Sequence, residues 1–261
     1  MANTKRHANR NRQQDKTGCG KVKNTSHESG KVVKEKFQER RESSLPPIQA
    51  KTKKQKQYLN LLKTCNILVV EGIFGTGKSY CAAATAADAL RKGEVEKVIV
   101  ARPYVQTGKT SGFKPGSSLE KLYPYVRNIL DTMKSRLGDG AYNIALRDGL
   151  TGTIEVQEVE SIRGRSFDTP SFLIIDEAQQ TTPEEMLSIV TRISDNCTLV
   201  LCGDDSQKDI RGQSGLNWFK EFALRHQLQG VGFVEFNDFE DIVRGGMVKD
   251  IAIGLAKDKG E

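Results

Sequence analysis

The chain has 261 residues, 37% hydrophobic and 28% charged, with a formal net charge of +7; that length suits one ordinary domain with a tail, or two small domains. No apolar run approaches the ~20 residues of a membrane span, and no N-terminal apolar stretch reads as a secretory signal. Five scattered cysteines without a Cys-x-x-Cys pair argue against a disulfide framework and for the reducing cytoplasm, and the three histidines show no metal-ligand spacing.

Residues 1–50 hold twelve basic and five acidic side chains, which accounts for the whole net charge; the remaining 28 basic and 28 acidic residues cancel. This segment is rich in Asn, Gln, Lys, Arg and Ser, with Phe37 as the only aromatic before Pro46. It cannot bury enough apolar area to offset its ordering entropy. Residues 1–47 therefore read as a disordered basic tail, with a short helix near Val32–Arg41 and Pro46-Pro47 as the boundary; residues 48–261 read as the folded domain.

The domain opens with a predicted helix over Lys53–Lys63, its apolar side formed by Tyr58, Leu61 and Leu62. A buried strand over Ile67–Glu71 follows. Next comes Gly72-Ile73-Phe74-Gly75-Thr76-Gly77-Lys78-Ser79, which fits the phosphate-binding pattern G-x-x-x-x-G-K-[ST]. A helix over Lys78–Arg91, with Tyr80 in its first turn, completes the strand–loop–helix context. In this pattern main-chain N–H groups wrap a phosphate at a helix N-terminus, Lys78 reaches the β- and γ-phosphates, and the Ser79 hydroxyl ligates Mg²⁺.

Further strands are predicted at Lys97–Ala101, Phe172–Asp176, Thr198–Cys202 and Gly232–Phe236, with a weaker one at Thr153–Val156. Helices are predicted at Leu119–Leu137, Ala141–Asp148, Pro183–Ile193, Leu216–His226 and Phe239–Ala256. Thr182, Pro183 and Glu185 supply an N-cap, a proline at the first helical position and a capping-box acid. Alternation of short apolar strands with helices predicts an α/β fold with a parallel sheet and ligand loops at the strand C-termini.

Three further features sit at such ends. Four apolar residues run into Asp176-Glu177, the acidic partner that a phosphate loop needs: Asp176 to hold Mg²⁺ through water, Glu177 to orient and deprotonate the attacking water. Gly203-Asp204-Asp205-Ser206-Gln207 offers Gln207 as a γ-phosphate sensor. Isolated arginines (Arg102, Arg163, Arg165 and Arg244) suit a phosphate clamp or a nucleic-acid backbone. Trp218 and Tyr58 read as core residues, given their apolar helical neighbours.

These blocks resemble the PhoH-like ATPases, a RecA-like P-loop family related to superfamily-1 helicases, in its short single-domain form. The resemblance runs from about Ile48 to Ala256. It rests on Thr52-Lys-Lys-Gln55, the phosphate loop, Ala101-Arg102-Pro103, Gly112-Phe113-Lys-Pro115-Gly116, Arg163-Gly-Arg165, Ile175-Asp-Glu-Ala-Gln-Gln-Thr-Thr182, Gly203-Asp204 with Gln207, Ser214-Gly-Leu216 and Asp241-Ile-Val-Arg244. It implies ATP and Mg²⁺ as cofactors, adenine recognition by Gln55, and Arg244 as the late arginine; Arg211 sits in a loop that looks short for the family. Neither a PIN-type nuclease nor a KH-type RNA-binding segment is evident.

The expected function is a Mg²⁺-dependent ATPase stimulated by RNA or single-stranded DNA, and an RNA helicase when oligomeric. The alternative is a slow nucleotide-dependent switch acting through partners. A kinase is disfavoured because Asp176-Glu177 activates water, and a GTPase because no N/T-K-x-D motif occurs. One RecA-like lobe cannot walk along a strand alone, so a homo-oligomer is expected. Arg244 would then reach a neighbour's nucleotide, or else its own nucleotide, or pair with Glu240 or Asp241.

Overall fold

The alternation read from the sequence appears directly in the computed structural model, which describes residues 45–103, 118–147 and 152–259. The helix expected near Val32–Arg41 lies outside them. The elements in chain order are α1 (Lys53–Leu61), β1 (Ile67–Gly72), α2 (Lys78–Lys92), β2 (Lys97–Arg102), α3 (Ser118–Leu137) and α4 (Asp139–Leu146). Then follow β3 (Ile154–Glu158), α5 (Val159–Ile162), β4 (Ser171–Ile175), α6 (Pro183–Val190), β5 (Thr198–Gly203), α7 (Gly215–Arg225), β6 (Val231–Phe236) and α8 (Gly246–Lys259). The four-residue α5 had no counterpart in the sequence reading.

The strands form one six-stranded sheet in the order β3-β2-β4-β5-β1-β6, and every neighbouring pair is parallel. Strands β1 to β5 are buried on both faces, as apolar runs in a parallel sheet must be, whereas the edge strand β6 alternates buried and partly exposed residues. Leu68, Val70, Val98, Val100, Ile174 and Val200 pack under α1 to α4. Their alternates Val69, Ile99, Leu173, Ile175, Leu199 and Leu201 pack under α5 to α7. Burying one such side chain contributes roughly 1.5–3 kcal/mol. The alanines of α2, fully buried at Ala82, Ala83, Ala86 and Ala87, let that helix lie close on the sheet and set its N-terminus at the end of β1.

Helix ends shift by one to three residues from the sequence reading, and two departures have a visible cause. α6 stops at Val190, where the Thr191 hydroxyl donates to the Leu187 carbonyl (2.8 Å). The stretch read as one helix over Phe239–Ala256 is a 3-10 turn at Phe239–Asp241, an extended break, and α8. The break has a cause: Val243 N–H donates to the Gly75 carbonyl (2.9 Å), which commits that backbone to the phosphate loop, and Gly245 sits at φ 145°.

Candidate functional site

The sheet order places the ends of β2, β4, β5 and β1 side by side, so the loops read as functional converge. The phosphate loop leaves β1 through Gly72, whose φ is 132°. A Cβ there would stand 2.3 Å from the Phe236 carbonyl oxygen of β6, so this first glycine serves close contact with the edge strand. Gly77 (φ 86°) opens α2, and a Cβ there would meet Gln55 Nε2 at 2.9 Å.

Gln55 is almost fully buried behind the loop. Its Nε2 donates to the Thr76 carbonyl (2.8 Å), and its Oε1 accepts from the Lys51 N–H (2.8 Å). The hydrogen bonds it makes thus brace the phosphate loop. Tyr58, fully buried on the same helix, donates to the Lys78 carbonyl (3.2 Å). Trp218 is partly buried, stacked on Phe222 with ring centroids 5.5 Å apart. Tyr80 projects outward, 51% exposed.

Lys78 Nζ folds back onto the loop, donating to the carbonyls of Gly72 (2.5 Å) and Ile73 (2.9 Å). Burial lowers its ammonium pKa, against the pull of Asp204, Asp176 and Glu177. Ser79 Oγ donates to Asp176 Oδ1 at 2.7 Å. Burial raises the Asp176 carboxyl, opposed by the Ser79 hydrogen bond and Arg102. Cys81 and Cys202, packed nearby, are pushed up to about 12 by burial, which keeps them as inert thiols.

Glu177 has left-handed backbone (φ 55°, ψ 41°), a conformation costing a non-glycine residue about 1–2 kcal/mol. Its Oε2 accepts from Gln179 Nε2 (2.6 Å). Gln179 is fully buried, and its Oε1 accepts the Asp204 N–H (3.1 Å). Asp204 Oδ2 in turn accepts from Gln207 Nε2 (2.6 Å). A hydrogen-bonded chain thus joins the Glu177 carboxylate to Gln207 across two strand ends. Gln207 lines a cleft of about 640 Å³ together with Gly72, Ile73 and Phe74 and with Ala252 and Leu255 of α8. Gln179 had no role in the sequence reading. Its one signal is a polar pair, Gln179-Gln180, one residue beyond the two acids.

The arginines divide. Arg102 joins the site: Nη1 lies 3.3 Å from Asp176 Oδ2 and Nη2 lies 3.6 Å from Glu177 Oε1. Arg163 pairs instead with Glu185 (2.9 Å), the capping-box acid of α6. Arg165 binds Glu155, which is fully buried on β3 and also takes Lys97 Nζ at 2.5 Å. Burial pushes the Glu155 carboxyl up, but Arg165 and Lys97 outweigh it and hold it below the ordinary range. Arg211 and Arg244 are exposed. Arg244 sits beside its own phosphate loop, its Cβ 3.4 Å from where a Cβ on Gly75 would stand. Glu240 is taken by Lys249, and Asp241 is buried.

Among the described residues no helix is long and apolar enough to cross a membrane. A family model described as "PhoH-like protein" matches residues 47–254. The PhoH-like protein of Bacillus subtilis (strain 168) is 35% identical over 206 residues, covering 78% of this chain and 62% of that protein. Protein PhoH of Escherichia coli (strain K12) is 36% identical over 203 residues, covering 77% and 56%. The chain thus spans about three-fifths of the length of these relatives. Among solved structures, the HK97 bacteriophage large terminase is similar with a TM-score of 0.52 at 13% identity, covering 83% of this chain and 49% of that one, a likeness of fold alone. The phosphate loop, the acid pair and the parallel sheet are those of a nucleotide-binding P-loop NTPase, and the chain belongs to the PhoH-like protein family.

Proposed function

We propose that this chain binds ATP with Mg²⁺ and hydrolyses it, that RNA or single-stranded DNA speeds the reaction, and that it works as a homo-oligomer, in which it acts as an RNA helicase. The observation that carries the reading is the 2.7 Å hydrogen bond from Ser79 to Asp176, with Glu177 next in the chain. The donor set fits Mg²⁺, which takes one or two hard protein oxygens and completes its shell with water and phosphate. When bound, it would neutralise the charge on the transferring phosphate, held through Ser79 and Asp176.

The chain's own groups have distinct tasks. Lys78 exchanges the carbonyls of Gly72 and Ile73 for phosphate oxygens. Glu177 orients the attacking water and takes its proton. Gln207, tied to Glu177 through Asp204 and Gln179, reports the γ-phosphate. Arg244, beside its own Gly75, serves its own nucleotide rather than a neighbour's. Gln55 braces the loop, and adenine recognition asks its amide to exchange Lys51 for the base. An apolar stripe on α8, Met247 (78% exposed), Ile251 and Leu255, supports a face covered by another subunit. The free thiols accord with a reducing, cytoplasmic setting.

The test is the ATPase rate with and without RNA or single-stranded DNA, on a sample whose mass is measured in parallel. Glu177→Gln should retain nucleotide binding and lose about 10²–10⁴-fold in turnover. Wild-type turnover in that variant would remove Glu177 as the base. The pairing of Arg102 with both acids favours, as a second reading, a slow switch; a rate indifferent to either polymer selects it.

A further inference from the structure

Arg102 ends β2 with its side chain 24% exposed and turned toward β4. Besides the two acids, it donates from Nη1 to the Tyr125 carbonyl (3.3 Å), and its guanidinium carbon lies 5.5 Å from the centre of the Tyr125 ring. The consequence for the acids is specific. Asp176 Oδ1 is taken by Ser79 and Oδ2 by Arg102. Glu177 Oε1 faces Arg102, and Oε2 is taken by Gln179. All four carboxylate oxygens are therefore engaged within the protein. A guanidinium beside Asp176 also opposes a divalent cation there, and one beside Glu177 draws the base away from water.

The hold is loose. At 3.3 and 3.6 Å it lacks the short, parallel geometry of a bidentate arginine–carboxylate pair. A phosphate diester offers a guanidinium two oxygens on one group, the bidentate fork that this split contact with two carboxylates lacks. Tyr125, 51% exposed, leaves the guanidinium reachable from the solvent side at the end of β2.

We propose that Arg102 is a positioning residue coupling strand binding to hydrolysis. In the free protein it restrains Asp176 and Glu177; a backbone phosphate of single-stranded nucleic acid takes the guanidinium and releases both acids. This rests on the nucleic-acid-stimulated reading above. Linkage then demands reciprocity: a strand that tightens Mg²⁺-nucleotide binding must itself be tightened by the nucleotide, by the same factor.

The full chain tests this with a fluorescent ATP analogue, Mg²⁺, and poly(U) or oligo(dT). In the wild type each ligand should tighten the other by about fivefold or more, a usual size for such coupling. Arg102→Ala should bind the Mg²⁺-nucleotide more tightly without any strand, hydrolyse ATP faster at rest, and lose both the stimulation and the mutual tightening. Tyr125→Leu, which removes the ring beside the guanidinium, should move the resting rate the same way by less and keeps the test available if Arg102→Ala is unfolded. A folded Arg102→Ala or Tyr125→Leu with an unchanged or lower resting rate, while the wild type is still stimulated, overturns the latch and leaves the stimulated ATPase standing. A wild type that neither polymer stimulates overturns both.

Discussion

At the residue scale, the two acids after β4 show how little of a site a motif specifies. The spacing of Lys78, Ser79, Asp176 and Glu177 was legible because each lies within a local pattern: glycines before a helix, and acids after an apolar run. What orients Glu177 was not legible. Its left-handed backbone and its hydrogen bond to Gln179 depend on β5, which brings Asp204 to the other end of the Gln179 amide. Gln179→Met, close in volume, removes both bonds and strands the Asp204 N–H. Turnover should fall about ten- to a hundredfold, the scale of a misplaced catalytic group, while nucleotide affinity holds. Steady-state rates beside direct binding check this; an unchanged rate in a folded sample would reduce Gln179 to packing. The arginines carry the same lesson. Nothing in Arg163-Gly-Arg165 announces Glu185 and Glu155 as partners, because both pairings join segments that only the fold brings together.

Element by element, the parallel α/β order was readable from apolar runs alternating with helical periodicity, and the cap at Thr182 marked one helix start; the cap at Ser214 is seen only in the structure. The break before α8 was not readable, because its cause is the distant Gly75 carbonyl. A second long-range tie holds α7 to the sheet. Lys220 Nζ bridges Glu71 Oε2 (2.5 Å) and Glu235 Oε1 (2.6 Å), which are register partners on β1 and β6. Burial lowers the Lys220 ammonium, but the two carboxylates outweigh it and raise it above its ordinary value; the Lys220 hydrogen bond lowers Glu235. The signs give a window. The Glu235 contribution is present above the ordinary glutamate range and is lost as pH falls through its depressed pKa. The Lys220 contribution is full below the ordinary lysine value and is lost as pH rises through its raised one. Lys220→Met leaves two carboxylates side by side. It should destabilise by about 1–2 kcal/mol at pH 7, less than a fully buried pair because Glu235 is 42% exposed. The loss should shrink as pH falls through the depressed Glu235 pKa. Thermal melts of both proteins from neutral pH down through that pKa check it; a pH-independent difference would assign the effect to lost packing.

At the scale of the whole molecule, charge separates by segment. Residues 51–261 are formally neutral, and residues 1–50 carry the net +7. A neutral domain gains little from long-range attraction to a polyanion, so non-specific affinity for a strand should reside in the tail, while Arg102 supplies a local phosphate contact at the site. The two contributions differ in salt response. Each phosphate neutralised on a single strand adds about 0.7 to the slope of log affinity against log salt. Deleting residues 1–46, which hold the twelve basic side chains but almost none of the described structure, should leave the melting temperature and the resting ATPase unchanged. Affinity for oligo(dT) or poly(U) should fall, and the salt slope should drop by about 2–4, the loss of roughly three to six contacts. Saturating strand should still stimulate the truncated chain, because the contact at Arg102 remains. Titrations at several salt concentrations decide it. An unchanged slope would leave the tail outside strand binding, and loss of stimulation at saturation would move the coupling out of the domain and into the tail.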